Sequence, residues 1–443
     1  MSDLLNIGRS GIKAYARSMS TVSNNIANAE NPDYVRRSTL LTDGTISSNL
    51  NPMYTAQSGL NGVMINGSVR ASDEFLEAQL RTSGASRVRS ETMVNWLGRI
   101  EVGLDNAGSN VGNRLNDFFA RGEELSAVPF DTALRITFLN ELDATVDAFR
   151  RTSFNLEQTQ DQVVQTAAAE ASGLNSALEL IAKLNFEITR TPQGTDAHSG
   201  LLDSRDSALA VISEKLDVNI VLAGNGVANV TYDGQPLAGV TTFANVTVAS
   251  NPDASLAIVI NGTPARSPTN GTLAGLSRVG AITQQRTTEL QGLAQQFVDD
   301  VNSWHANGVT DAGAAGAPLL TMTGGVDTLA VTTQAIGDLA LASPDGTPNG
   351  NLLTLSGLRT PAGVEARWNN LMAGNGSALV GARSQLIAAT ALDSANRDQR
   401  DSVSRVNLDR EAADLIRLQQ AYEASARVIQ VARETMQSIL AIF

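Results

Sequence analysis

The stretch 408–443, LDREAADLIRLQQAYEASARVIQVARETMQSILAIF, decides how the rest of the chain is read. Leu408, Leu415, Tyr422, Ile429, Met436 and Phe443 recur at every seventh position. Leu418, Ala432 and Ile439 fall three places after members of that series, and Ala412, Ala426 and Leu440 fall four places after. Such a/d spacing draws one apolar seam along a helix, here about 50 Å long at about 1.5 Å per residue. Neither Gly nor Pro occurs after Gly381, so backbone chemistry does not interrupt it. Charges of both signs, among them Asp409, Arg410, Glu411, Asp414, Arg417 and Glu434, take the other faces. A lone helix draws little stability from propensity, so the seam predicts a partner helix.

The opposite end of the chain offers one. Leu5, Gly8, Ile12, Tyr15, Met19, Val22 and Ile26 alternate at spacings of three and four, a second heptad seam. Both extremities are therefore built for helix–helix packing. The pattern suits two arrangements equally: packing among copies in a polymer, or pairing of the two ends within one chain.

With 443 residues the sequence has room for roughly two to four domains. A formal net charge of -13 and the lack of any Lys/Arg run argue against a nucleic-acid surface, which must neutralise phosphates. Cysteine is absent, which excludes disulfides and thiolate metal sites. The two histidines, His198 and His305, are too few for a histidine metal site without carboxylate help. Met1–Asn6 carries no positive charge and no apolar h-region follows, so no signal peptide is expected. No run of about 18 apolar residues suggests a membrane span. These features fit a cytoplasmic protein or one exported without a leader.

In chain order, a first helix is expected from about Leu4 to Ala29, ended by the turn Asn31-Pro32-Asp33-Tyr34, because Pro restricts the residue before it to extended conformations. Helical period returns near Ser72. It runs through Leu134, Phe138, Leu142, Val146 and Phe149, then Leu174, Leu178, Ile181, Leu184 and Ile188, as in the long helices of a bundle. Between 217 and 272, β-branched runs are punctuated by Asn225-Gly226, Asp233-Gly234 and Asn261-Gly262, the dipeptides of tight hairpins. Helix resumes to Trp304. From Gly308 to Gly376 the period fades, apart from strands near 329–332 and 339–342 and a short helix over 363–371, and after Gly381 the chain reads as helical to its end.

The expected fold class is multidomain α+β: terminal coiled-coil helices, a central helical bundle, an inserted small β-domain and a second mixed insertion. The expected segments are 1–71 (N-terminal axial helix and connecting segment), 72–216, 273–308 and 377–402 (three parts of the bundle), 217–272 (β-domain), 309–376 (mixed exposed insertion) and 403–443 (C-terminal axial helix).

Chemistry is sparse. In Leu201-Leu202-Asp203-Ser204-Arg205-Asp206 two carboxylates share a helix face, but acid/base work needs a cleft and separated pKa values. A helix start or a surface ion pair explains the cluster more simply. His305 beside Trp304 lacks an accompanying Ser or Cys elbow, and a packed histidine is the simpler reading. The Gly-rich run 311–318 lacks the Lys-Ser/Thr ending of a phosphate loop. No catalytic, cofactor-binding or metal residue is assigned.

A resemblance now narrows the reading. Ser10-Gly11-Ile12-Lys13-Ala14-Tyr15, Ser23-Asn24-Asn25-Ile26-Ala27-Asn28-Ala29 and Pro32 with Tyr34 resemble the N-terminal signature shared by bacterial flagellar axial proteins. Val406-Asn407-Leu408-Asp409-Arg410-Glu411-Ala412-Ala413 and Leu418-Gln419-Gln420-Ala421-Tyr422-Glu423-Ala424 are similar to the hook-associated protein 1 family, the first hook–filament junction proteins. A hook protein would carry a Glu-Leu-Val-type run at 411–413. The stretch 201–206 and that from Val301 to Gly308 are similar to the same family, whereas Asn31 and Asp33 replace its usual Thr and Gly. The chain is also shorter than many relatives, so an outer domain of theirs is expected to be missing.

The resemblance implies a non-enzymatic adaptor joining hook to filament, without cofactors. It would reach the extracellular flagellum through type III export without a cleaved leader. Implied partners are copies of itself, hook protein, the second junction protein (hook-associated protein 3) and an export chaperone on the C-terminal helix, with no nucleic acid and no membrane. Assembly residues would be Leu5, Ile12, Tyr15, Met19, Val22, Ile26, Leu408, Leu415, Tyr422, Ile429, Met436 and Phe443, and the motif turn Asn25, Asn28, Pro32 and Tyr34. Both ends would be poorly ordered in isolation and order on assembly. The alternatives are a hook or distal rod subunit, or a secreted hydrolase with coiled-coil ends acting through Asp203 and Asp206.

Overall fold

Helix α1 (Ser2–Ala27) ends where Asn28 to Asn31 close a turn. The Asp33 amide donates to Asn31 Oδ1 at 3.1 Å, and Pro32 bars further helix. The computed structural model describes residues 2–43, 62–105, 108–332 and 335–441. Within them the chain is a mixed α+β fold of long helices and small antiparallel sheets. It divides into two compact units: 1–85, 173–245 and 390–443 form one, and 86–172 with 246–389 form the other.

In the first unit, β1 (Arg37–Asp43) pairs antiparallel with β2 (Val63–Arg70), Arg37 opposite Arg70, with a register slip between Thr39 and Leu41. Three of the four boundaries between the units fall inside α2 (Glu74–Leu104), α4 (Thr132–Arg190) and α7 (Val364–Ser404). Helix α3 (Val111–Ala127) is capped by Asn110. Helix α4 runs 59 residues because Gly173 is its single breaker and Asp131 Oδ1 accepts from the Ala133 and Leu134 amides at its start. Helix α5 (Asp196–Lys215) is capped by Thr195. The stretch 201–206 therefore lies mid-helix and is not a helix start.

The stretch 217–272, expected as one antiparallel domain, folds as two three-stranded sheets assigned to different units. Strands β3 (Asn219–Leu222), β4 (Ala228–Tyr232) and β5 (Gln235–Ala238) belong to the first; β6 (Val246–Ser250), β7 (Leu256–Ile260) and β8 (Thr263–Ala265) belong to the second. Asp233-Gly234 and Asn261-Gly262 take positive φ in their hairpins, as those dipeptides predict.

The second unit is centred on aromatic rings. Phe118 meets Phe138 at 5.1 Å and Phe297 at 5.7 Å, and Phe149 stacks on Phe297 at 5.6 Å. Phe297 and Trp304 lie on α6 (Gly271–Ala306). The aperiodic segment after it holds β9 (Leu320–Thr321), β10 (Ala330–Val331) and short 3-10 turns. Residues 339–342, expected as a strand, contribute one isolated bridge, Ala342 to Val309. The short helix expected over 363–371 is instead the first part of α7, which passes through Gly374, Gly376 and Gly381 without stopping. Nor is the chain helical throughout after Gly381: α7 ends at Ser404, and Asn407 caps α8 (Leu408–Leu440) by accepting from the Arg410 amide.

Candidate functional site

The two ends find each other. Helices α1 and α8 pack together in antiparallel order: an added Cβ at Gly8 would lie 2.6 Å from Ile429, one at Gly11 would lie 2.7 Å from Ser425, and Asn25 reaches Glu411. The missing Cβ atoms let the helices approach closely at this crossing. Of the two arrangements left open by the pattern, the structure of the single chain shows the two ends paired with each other.

The buried centre of α1 is small and polar: Gly8, Gly11, Ala14, Ser18, Thr21, Val22 and Asn25. Leu5, Ile12, Tyr15, Met19 and Ile26 are only half-buried, displaced by roughly a quarter-turn toward one margin. On α8, Leu415, Tyr422 and Ile429 are half-buried, while Leu408 is 54% and Met436 46% exposed. Ile416, Val431 and Ile439 are exposed as well. Phe443 lies outside the described residues. The internal pairing thus covers part of the apolar surface and leaves large side chains along its edges.

Below this pair sits a dense polar clasp, all within the first unit. Asn25 Oδ1 accepts from the Tyr34 hydroxyl at 2.8 Å and from the Arg37 amide at 3.0 Å. Its amide group donates to the Arg37 carbonyl at 2.8 Å and to Glu411 Oε2 at 2.9 Å. The Glu411 side chain is fully buried, and Arg36 Nε donates to its Oε1 at 2.6 Å. A buried carboxylate needs such partners to offset its lost hydration. Of the motif turn, Asn25 and Tyr34 join the clasp; Asn28 caps back to the Asn24 carbonyl and Pro32 is exposed.

Arg37 continues the network. Its guanidinium lies 4.8 Å from the Tyr34 ring centre and donates to Asp203 Oδ2 at 2.7 Å. Arg70 donates to Asp203 Oδ1 and to Asp206 Oδ2, both at 2.8 Å, and Arg205 holds the other Asp206 oxygen at 2.6 Å. Burial pushes the Asp203 carboxyl up, against the pull of Arg70 and Arg37. Every oxygen of the two carboxylates is thereby engaged by an arginine, which leaves neither arranged as a general acid or base for a glycan. Arg36, Arg37, Arg70 and Arg205 were not among the expected site residues. The adjacent Arg36-Arg37, following an Asn-rich helix end in an acidic chain, was the available signal.

Of the two histidines, His305 is held on both ring nitrogens. His305 is buried; its Nδ1 lies 2.6 Å from the Ala317 carbonyl and its Nε2 accepts from the Ala340 amide at 2.8 Å, so the ring is neutral with the proton on Nδ1. Burial lowers its pKa, as it does that of His198. Among the described residues no group of three or more His, Cys, Asp or Glu is placed to hold a metal, and no helix is long and apolar enough to cross a membrane.

Long helices, small sheets and two chain ends clasped as one antiparallel pair define a multidomain α+β protein with helical termini. Residues 97–320 match the model for the flagellar hook-associated protein FlgK helical domain, and residues 398–442 match that for the flagellar basal body rod FlgEFG protein C-terminal region. The chain belongs to the flagellar hook-associated protein FlgK family. It is 26% identical to flagellar hook-associated protein 1 of Escherichia coli K12 over 357 residues, covering 77% of this chain but 64% of that one. It is 25% identical to the Bacillus subtilis protein of the same name, covering 98% of this chain and 97% of that one. The flagellar hook junction protein FlgK of Burkholderia pseudomallei has a similar fold, with a TM-score of 0.65 at 15% identity over 74% of this chain and all of that one.

Proposed function

We propose that the chain is a non-enzymatic adaptor subunit of the bacterial flagellum, joining hook to filament and polymerising through its α1–α8 pair. The observation that carries this reading is the apolar margin left on the paired helices. Leu5, Ile12, Tyr15, Met19 and Ile26 on α1, with Leu408, Leu415, Tyr422, Ile429 and Met436 on α8, are half-buried or exposed although large and apolar. Exposed stripes of this kind mark association surfaces. Family membership and the names of the relatives support the same role. Copies of itself, hook protein and the second junction protein would cover the margin in the flagellum, and an export chaperone would cover α8 before a leaderless type III export.

Immuno-electron microscopy of intact flagella tests the location, with label expected at the hook–filament boundary; label along the hook or in the rod would refute the reading in favour of another axial subunit. Leu415→Asp or Ile429→Asp places a charge in the margin. Each is expected to abolish assembly and swimming while the second unit keeps its thermal transition. Normal swimming in both variants would overturn the proposal.

A further inference from the structure

Arg36 and Arg37 stand side by side at the entry to β1, where extended backbone sends consecutive side chains to opposite faces. Arg36 turns to α8: Nε donates to Glu411 Oε1 at 2.6 Å and Nη2 lies 3.6 Å from Asp414 Oδ2. Arg37 turns to α5: Nη2 donates to Asp203 Oδ2 at 2.7 Å and Nη1 to the Asp196 carbonyl at 3.3 Å. The backbone between them is pinned as well. The Arg36 amide donates to the Ser404 carbonyl at the end of α7, and the Ala71 amide donates to the Arg36 carbonyl, both at 2.8 Å. Asn25 of α1 holds both the amide and the carbonyl of Arg37. One dipeptide thus touches α1, α5, α7, α8 and the exit of β2.

We propose that Arg36-Arg37 is a two-sided coupling that fixes the angle between the α1–α8 pair and α5. Twist applied to the helix pair then passes to α5 through charged contacts on both sides of the β1 entry, in parallel with the direct Arg17–Asp196 ion pair between α1 and α5 at 2.8 Å. The geometry is what a coupling requires. Both acceptors are carboxylates, both bonds are charge-assisted, and each carboxylate is held by a second donor, Asn25 for Glu411 and Arg70 for Asp203. Uncharged residues at 36 and 37 would keep the backbone bonds to Asn25, Ser404 and Ala71 but lose the grip on Glu411 and Asp203. The mechanical use of this link rests on the adaptor reading; its existence does not.

The chain has no cysteine, so spin-label pairs can be introduced without removing any native thiol. Exposed Ala424 on α8 and Ala210 on α5 report the coupled angle, and exposed Ala16 on α1 with Ala424 reports the helix pair itself. In full-length protein carrying Ala424→Cys and Ala210→Cys, Arg36→Gln or Arg37→Gln is expected at least to double the width of the distance distribution. The Ala16→Cys with Ala424→Cys control should keep its width. If a Gln variant fails to fold, Arg36→Lys and Arg37→Lys, which keep the charge but lose the Nε and paired Nη donors, decide the matter by the same criterion. An unchanged α5–α8 distribution, or equal broadening of both pairs, would overturn the coupling. In cells, Arg37→Lys is expected to cost swimming speed increasingly as medium viscosity rises. Broadened distances with unaffected swimming would support the coupling and count against the adaptor reading.

Discussion

Replacing Glu411 with Ala removes the carboxylate on which α8 and the β1 entry meet. Two bonds are lost, from Arg36 at 2.6 Å and from Asn25 at 2.9 Å, and the Glu411 side chain is fully shielded from solvent. Breaking a buried pair by deleting one partner costs about 3–5 kcal/mol. Arg36 retains 18% side-chain exposure and a longer approach to Asp414, so part of its hydration returns, and the lower end, about 3 kcal/mol, is expected. That loss raises the population of the opened α1–α8 pair by about 150-fold. Hydrogen exchange is the appropriate assay, because a chain with two units need not unfold in one step and local opening is what changes. Amides of α1 and of the first half of α8 should exchange about two orders of magnitude faster, while those of α6 hold their rates. Glu411→Gln, which keeps an acceptor of the same shape, should lose less. An α8 exchange rate within threefold of the parent in Glu411→Ala would refute the clasp as the lock of the terminal pair.

Other outcomes follow from the same geometry. Gly8→Leu favours helix by propensity but drives a side chain into Ile429, 2.6 Å from the added Cβ. Overpacking costs about 1–3 kcal/mol, so faster exchange in α1 is expected, and slower exchange would show the crossing to be loose. For His305 the folded pKa is depressed by burial, while an exposed histidine titrates near about 6.5. Its stabilising contribution is complete above that value and is lost as pH falls through the folded pKa, because the unfolded chain takes up a proton that the buried ring refuses. His305→Gln should therefore flatten the fall in melting temperature of the second unit between about pH 7 and 5, and equal slopes would contradict the assignment. Asp203→Asn leaves Arg37 and Arg70 each short of a charged partner and should destabilise the first unit by about 3 kcal/mol, seen as a lower urea midpoint for β1, β2 and α5.

The terminal helices were legible because a seven-residue period survives any partner, and two hairpins because Asp233-Gly234 and Asn261-Gly262 favour positive φ, whereas Asn225 of Asn225-Gly226 does not take it. The centre of the α1 contact was harder to see. Gly8, Gly11, Ala14 and Ser18 carry little hydrophobic signal, yet they decide which face lies inside because they permit close approach. The clasp was illegible as a unit: Arg70 and Asp203 are 133 positions apart, Asn25 and Glu411 are 386 apart, and no local pattern links them. Helix α7 was cut short in the reading because Gly374, Gly376 and Gly381 weaken a helix locally, a cost of about 1 kcal/mol each that a long packed helix can absorb. The two sheets within 217–272 share one composition, so nothing in the residues marked a boundary near 245.

The meeting of Asn25 with Glu411 also sets a schedule for synthesis. Bringing together residues 386 positions apart carries a loop-closure cost of only about 5 kcal/mol, since that cost grows with the logarithm of length. Yet the contact cannot begin until the ribosome has made nearly everything between them. Until then the N-terminal helix travels uncovered, and a product broken off before Asn407 keeps it so. The finished clasp thus forms only in a product that carries both α1 and α8.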